Sequence, residues 1–247
     1  MDVVVISLRR AAERRASAQR QLESRGIPFE FFDAVEGSID APPDVGPVDE
    51  SKYLLHTLRK PLPTELACYA SHRRVWQLCA ERNRPVVVLE DDFDLLENFS
   101  SALAATAELI EEFGFIRLES HARSKRKTDQ RPQLVRRLRE FELLFLTDVP
   151  LCMLAYALSP AAAGRLLRAA TPITAPVDKF LQFVWEHETP IHALTPASVV
   201  ASQLHASSTI GSRAKKTYDL RVRLRRAASK YVGEIRRRRF NRAYLGR

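Results

Sequence analysis

Residues 86–94 read Val-Val-Val-Leu-Glu-Asp-Asp-Phe-Asp. Four apolar residues, three of them β-branched, predict a strand over 86–89 buried on both faces, as strands inside parallel sheets are. Three consecutive acids follow at once. Side chains alternate along an extended chain, so Glu90 and Asp92 share a face and Asp91 takes the other. Carboxylates this close raise one another's pKa unless a cation offsets them, and such an oxygen-rich set suits magnesium or manganese. The carboxyl edge of a parallel sheet is where α/β folds bind ligands. A metal on a diphosphate is therefore one interpretation of the cluster. Acids that solvate a strand end or cap the next helix are the other.

Working outward, residues 3–8 form a second largely β-branched run. Residues 10–25 are rich in Ala, Arg, Gln and Glu, good helix formers, and Gly26 is a natural stop. A strand over 29–32 completes a β-α-β unit that ends at Asp33. Residues 36–63 hold five prolines and no clear period, which predicts a long irregular segment. A helix over 65–82 places Tyr69, His72, Trp76 and Cys79 on one face. Another spans 99–113 with Gly114 as its stop. Strands are expected over 115–118, 141–147 and 153–158, with a polar loop over 121–139. Ser159-Pro160 is an N-cap followed by Pro at the first helical position, opening a helix to 170. Asp178 caps a short helix over 179–187, and 190–211 return to extended segments. Strands alternating with helices give an α/β fold with a mostly parallel sheet flanked by helices.

The chain has 247 residues, 45% hydrophobic and 28% charged, values that exclude global disorder. The longest apolar stretch, 149–158, is about half a bilayer span. The first residues lack a basic and apolar leader, so the expected location is cytoplasmic. Cys68 and Cys79 on one helix lie too far apart to bridge, and no Cys-x-x-Cys occurs, so free thiols are expected. The net charge of +9 is uneven. Residues 213–247 carry fourteen Lys and Arg against Asp219 and Glu234, a net +12. The other 25 bases and 28 acids leave the body at −3. The chain thus divides into a body over 1–212 and a basic tail over 213–247 with an apolar face at helical spacing. The tail could be solvated, packed on the body, or held at an anionic membrane surface. It would attract nucleic acid only without sequence preference, and no nucleic-acid-binding motif accompanies it. P-loop, dinucleotide and nucleophile-elbow motifs are absent as well.

Several single residues carry candidate chemistry. Arg10 and Arg14 stand in the first turns of a helix at the sheet edge, where a guanidinium can clamp phosphate. Asp33 occupies the place where nucleotide-binding α/β folds set an acid on a ribose; a turn residue is the alternative. His72 is either a hydrogen-bonded core histidine or part of a site. Asp178 is a helix cap or a base, and His205 is flanked by small polar residues.

These signals coincide with the pattern of a known family. The chain resembles glycosyltransferase family 25, the bacterial lipooligosaccharide-type transferases related to collagen galactosyltransferases. The segments "VVVISLRRAAERR", "GIPFEFFDA", "ELACYASHRRVW", "VVVLEDDFDL", "LCMLAYALSPAAAGRLL", "APVDKFL" and "PASVVASQLHASSTIG" follow in family order over about residues 3–211. Ala67 stands where the family usually has Gly, and the tail lies outside the likeness. The resemblance implies a GT-A-like fold, a UDP-sugar donor such as UDP-galactose, a glycan or glycolipid acceptor and an inverting reaction. It implies manganese or magnesium at Glu90-Asp91-Asp92, with Asp92 the first ligand and Glu90 and His205 completing the shell. Asp178 would be the catalytic base. Ser7, Arg10, Arg14, Asp33, Ser71, His72 and Asp91 would form the donor pocket. A binding protein without activity on the same fold is the rival expectation, and a nucleic-acid module driven by the tail a weaker one.

Overall fold

The structure is a computed structural model that describes residues 1–37, 45–120, 131–202 and 220–246. Its centre is an eight-stranded sheet built from β1 (Asp2–Ser7), β2 (Glu30–Asp33), β3 (Val86–Glu90), β5 (Phe115–Arg117), β6 (Gln133–Leu138), β7 (Phe141–Phe145), β8 (Ala155–Leu158) and β9 (His192–Thr195). The strand order is β2-β1-β3-β8-β5-β9-β7-β6. The pairings β1/β2, β1/β3 and β5/β9 are parallel, and β8 and β7 run against their neighbours. Six of the eight strands therefore point the same way, and the sheet is mixed at β8 and β7. A two-stranded ribbon pairs β4 (Phe93–Leu95) with β10 (Val199–Ala201).

Alternation explains the layers. Val4, Ile6, Val86 and Val88 enter one core, while Val3, Val5, Val87 and Leu89 enter the other. The first core is covered by α3 (Pro63–Arg82), α5 (Pro160–Ala169), α6 (Val177–Phe180) and α7 (Val184–His187). The second is covered by α1 (Ala12–Glu23) and α4 (Phe99–Phe113). The helix over 99–113, its Gly114 stop at φ 75° and the Ser159 cap on Ala162 all occur as expected.

Three expectations need correction. Residues 36–63 are not irregular throughout, because α2 (Glu50–Thr57) forms there, with Asp49 accepting from the Lys52 amide at 2.9 Å. Its eight residues are too short for a visible period. Residues 133–138 of the expected loop form β6. This is an edge strand exposed along most of its length, so charges replace the apolar alternation. Asp178 is not a cap: Pro176 stands at that position and Asp178 lies in the first turn of α6. The expected helix over 179–187 is two short helices, α6 and α7.

The described part of the tail is one helix, α8 (Leu220–Leu245), and it packs on the body. Arg237, 8% exposed, pairs with Asp148 and with Glu234. Asn241 donates to the Thr147 carbonyl at 2.8 Å, and the Tyr244 hydroxyl meets His192 Nε2 at 2.8 Å. Phe240 joins the rim of the first core.

Candidate functional site

The parallel register brings the carboxyl ends of three strands to one edge. Ser7 lies opposite Asp33, and Ile6 opposite Glu90. A cleft of about 540 Å³ opens there, walled by Ser7, Arg10, Arg14, Ser71, His72 and the acids Glu90, Asp91 and Asp92. This is the ligand edge of an α/β sheet.

The three acids divide as alternation requires. Asp91 turns toward β1 and α1, where Ser7 Oγ donates to Oδ2 at 2.6 Å and Arg14 Nη1 to Oδ1 at 3.1 Å. Asp91 thus ties β3 to the β1–α1 junction. Glu90 turns toward α3 and accepts from His72 Nε2 at 3.1 Å. The tautomer follows from the buried chain behind it. Trp76 Nε1 can only donate, and it gives its proton to the Tyr156 hydroxyl at 2.9 Å. Tyr156, 1% exposed, needs an acceptor for its own proton, and His72 Nδ1 lies at 3.0 Å. His72 therefore carries its proton on Nε2 and aims it at Glu90.

Asp92 is the least satisfied of the three. Burial, then the charge of Glu90, push its carboxyl up to about 6, with Arg14 opposing from 3.9 Å. A divalent cation would relieve this repulsion. The donor set, hard carboxylate oxygens at a cleft wall, fits magnesium or manganese. Asp92 and Glu90 are the residues that could hold one. Asp91 is committed to Ser7 and Arg14, and His205 lies outside the described residues.

The other expected residues separate. Arg10 lines the cleft and is exposed, paired with Glu36. Asp33 sits at the edge, but Arg9 at 2.7 Å and Arg15 at 2.9 Å hold its carboxylate and lower its pKa, Arg15 first. It is not among the residues that wall the cleft. Ser71 accepts from the Val35 amide at 2.8 Å and donates to the Ala67 carbonyl at 2.8 Å, so it holds the loop after β2 in place. Asp178 does not line the cleft. It is half-buried on α6, near enough to Cys68 on the cleft wall to help raise that thiol's pKa.

Two groups are not evident from residue order alone. Cys68, His72 and Glu90 place ligand atoms within 4.8 Å of one another; the four-residue step from Cys68 to His72 on α3 was the available signal. Burial, then Glu90, raise the Cys68 thiol well above its usual range, so it stands as a neutral thiol. Beneath the cleft, Arg117 at 1% exposure pairs with Glu119 and donates to the carbonyls of Pro150 and Cys152 at 2.7 and 2.6 Å. It holds the backbone at Cys152, whose φ is 112°. An Arg and a Glu two apart in an apolar strand was the signal there.

Fold and site together define an α/β domain with an acid-rich ligand cleft at the carboxyl edge of its sheet. The family model described as Glycosyltransferase family 25 (LPS biosynthesis protein) matches residues 1–181, and the chain belongs to that family. Lipooligosaccharide biosynthesis protein lic2B of Haemophilus influenzae is 36% identical over 111 residues, which cover 44% of this chain and 40% of that protein. Lacto-N-neotetraose biosynthesis glycosyltransferase LgtE of Neisseria meningitidis serogroup B is 36% identical over 110 residues, 44% of this chain and 38% of its own. Inactive glycosyltransferase 25 family member 3 of Mus musculus is 30% identical over 195 residues, 75% of this chain and 32% of its own. The matched stretch thus spans about two fifths or less of these curated relatives.

Proposed function

We propose that the chain is a metal-dependent, inverting glycosyltransferase of lipooligosaccharide or other surface-glycan synthesis. It moves a hexose, galactose from UDP-galactose, onto a glycan or glycolipid acceptor. The observation that carries this reading is the Asp92 carboxylate, held at a cleft wall beside Glu90 with its pKa pushed up to about 6. A bound manganese or magnesium ion supplies Lewis-acid stabilisation of the leaving diphosphate.

The chain's own residues do the rest. Asp92 and Glu90 hold the cation, and His72 fixes the orientation of Glu90. Arg14, braced by Asp91, and Arg10 set positive charge along the wall for the diphosphate. The acceptor hydroxyl oxygen forms a bond to the anomeric carbon while the bond to the diphosphate oxygen breaks on the opposite face. The hydroxyl proton passes to Asp178 and UDP leaves. The position of α6 beside Cys68 on the cleft wall supports Asp178 in that role.

The test is transfer from UDP-galactose and other UDP-sugars to a lipooligosaccharide acceptor, with manganese and with chelator. Metal-dependent release of UDP supports the proposal. UDP binding without turnover over a panel of donors and acceptors supports instead an inactive nucleotide-sugar-binding protein, a reading favoured by the inactive mouse relative.

No helix among the described residues is long and apolar enough to cross a membrane. The proposed location is the cytoplasm, at the inner face of the membrane, where the acceptor would be lipid-linked. Support comes from the exposed side of α8, with Arg221, Arg223, Leu224 and Arg225. Deleting the tail would also strip Arg237 and Tyr244 from the body. Charge removal at Arg221, Arg223 and Arg225 is the cleaner test, and it should release the protein from anionic vesicles in sedimentation. Unchanged pelleting rejects membrane association through this face.

A further inference from the structure

Asp178 and Lys179 are neighbours on α6, yet Lys179 lines a different cavity. This one, of about 730 Å³, lies between α2, α6, α7 and α8, and none of the residues assigned to donor or acceptor chemistry walls it. Its lining is unusual in charge. Lys52 from α2, Lys179 from α6, and Lys230 and Arg236 from α8 converge on it. Arg237 is already matched by Asp148 and Glu234, and Lys52 has a loose contact with Asp49 at 3.7 Å. Lys179, Lys230 and Arg236 have no ion pair among the described residues. Arg226, on the same helix, has its Nε buried without a hydrogen-bond partner. Glu186 is the one remaining acid on the wall.

Lys52, Lys230 and Arg236 stand exposed around the cavity and Lys179 is half-buried among them, so the repulsion between like charges falls chiefly on Lys179. Their mutual influence is visible: burial, then Lys230 and Arg226, lower the Lys179 pKa, and Lys179 and Lys52 add to burial in lowering that of His56. An anion seated among them removes that penalty. The other wall is aromatic. Trp185 packs on Phe183 at 5.5 Å between ring centroids, and Phe183 on His56 at 4.6 Å. The helix α8 comes close to Trp185 because Gly233 has no side chain: a Cβ there would lie 3.3 Å from the indole. An aromatic wall of tilted rings, 47° and 49° between planes, beside a cluster of cations suits a ring with one apolar face and an anionic substituent.

We propose that this cavity binds a phosphorylated saccharide, its phosphate among Lys179, Lys230 and Arg236 and its sugar ring against Trp185. The site is separate from the donor cleft and does not depend on the transferase reading. It would let the protein engage a phosphate-bearing glycan at a second point, with α8 as one wall.

Trp185 is one of two tryptophans, and Trp76 is fully buried, so indole fluorescence of the full chain reads the site directly. The titrants are mannose 6-phosphate, mannose, inorganic phosphate, and vesicles of phosphatidic acid or phosphatidylcholine. Mannose 6-phosphate should bind at least tenfold more tightly than either mannose or phosphate, and saturating UDP should not compete. Lys179→Gln and Lys230→Gln should each weaken binding fivefold or more and reduce its salt dependence. Both replace charges without removing packing, and unchanged thermal melts would confirm their folding. Trp185→Phe should abolish the signal while calorimetry still detects phosphate-dependent binding. Equal affinity for mannose overturns the proposal, as do charge variants that bind normally, competition by UDP, or binding to phosphatidic acid vesicles alone.

Discussion

Replacing Asp92 with Asn separates what the cleft needs for ligand from what the fold needs for stability. The Asp92 carboxyl is raised from 3.8 to about 6, first by burial and then by Glu90. About two pKa units correspond to roughly 3 kcal/mol against the charged form. The side chain is 34% exposed, so solvent screening reduces the effect to on the order of 1–2 kcal/mol. The sign follows from linkage. A folded-state pKa above the unfolded one means that stability is lost as pH rises from about 4 through about 6, and the penalty is complete above that. Asn has nearly the same shape without the charge. In metal-free buffer at pH 8, Asp92→Asn should therefore be more stable than the parent by about 1–2 kcal/mol, or a few degrees in Tm for a chain of this size. The difference should fade between pH 6 and pH 4. Urea denaturation with chelator across that range is the assay. Adding manganese should raise the midpoint of the parent and leave the variant where it was. A variant less stable at pH 8, or a difference that is the same at pH 4, would show that Asp92 holds the structure together, and the account of a strained ligand site would fall.

Three further outcomes are expected. Tyr156→Phe keeps the ring that stacks on Phe115 at 4.8 Å but strands Trp76 Nε1 and His72 Nδ1; it should cost about 1–3 kcal/mol in chemical denaturation. Asp178→Asn should leave UDP affinity by calorimetry within twofold and lower kcat by about a hundredfold or more, since a base acts only in the chemical step. His187 and His192 are buried and neutral, each pushed down to about 4 mainly by burial; stability present above about 6.5 should be lost as pH falls toward 4, by roughly 3 kcal/mol each, visible as a falling urea midpoint between pH 7.5 and 4.5.

The elements with strong internal signals were legible from residue order alone. Val86–Leu89 is unbroken apolar chain, Phe99–Phe113 has a helical apolar stripe closed by Gly114, and Ser159-Pro160 is a capped start; each depends on local backbone and burial preferences. The acid run at 90–92 marked the cleft because it closes a buried strand at the carboxyl edge of the sheet, where α/β folds bind ligands. Elements whose form depends on neighbours were not legible. Gln133–Leu138 is a strand because β7 offers it a free edge, and Glu50–Thr57 is a helix too short to show a period. The division of the three acids was half visible: alternation separates Asp91 from its neighbours, but only the packing of α1 and α3 gives it to Ser7 and Arg14 and gives Glu90 to His72. Asp33 shows the opposite limit. Its place after β2 is local, while the arginines that claim its carboxylate come from α1 and from the turn before it. The tail's helical form and charge were written in its own residues. Its seat on the body was not, because Asp148, Trp185 and His192, which receive it, are distant in sequence and converge only when the sheet and its helices have assembled.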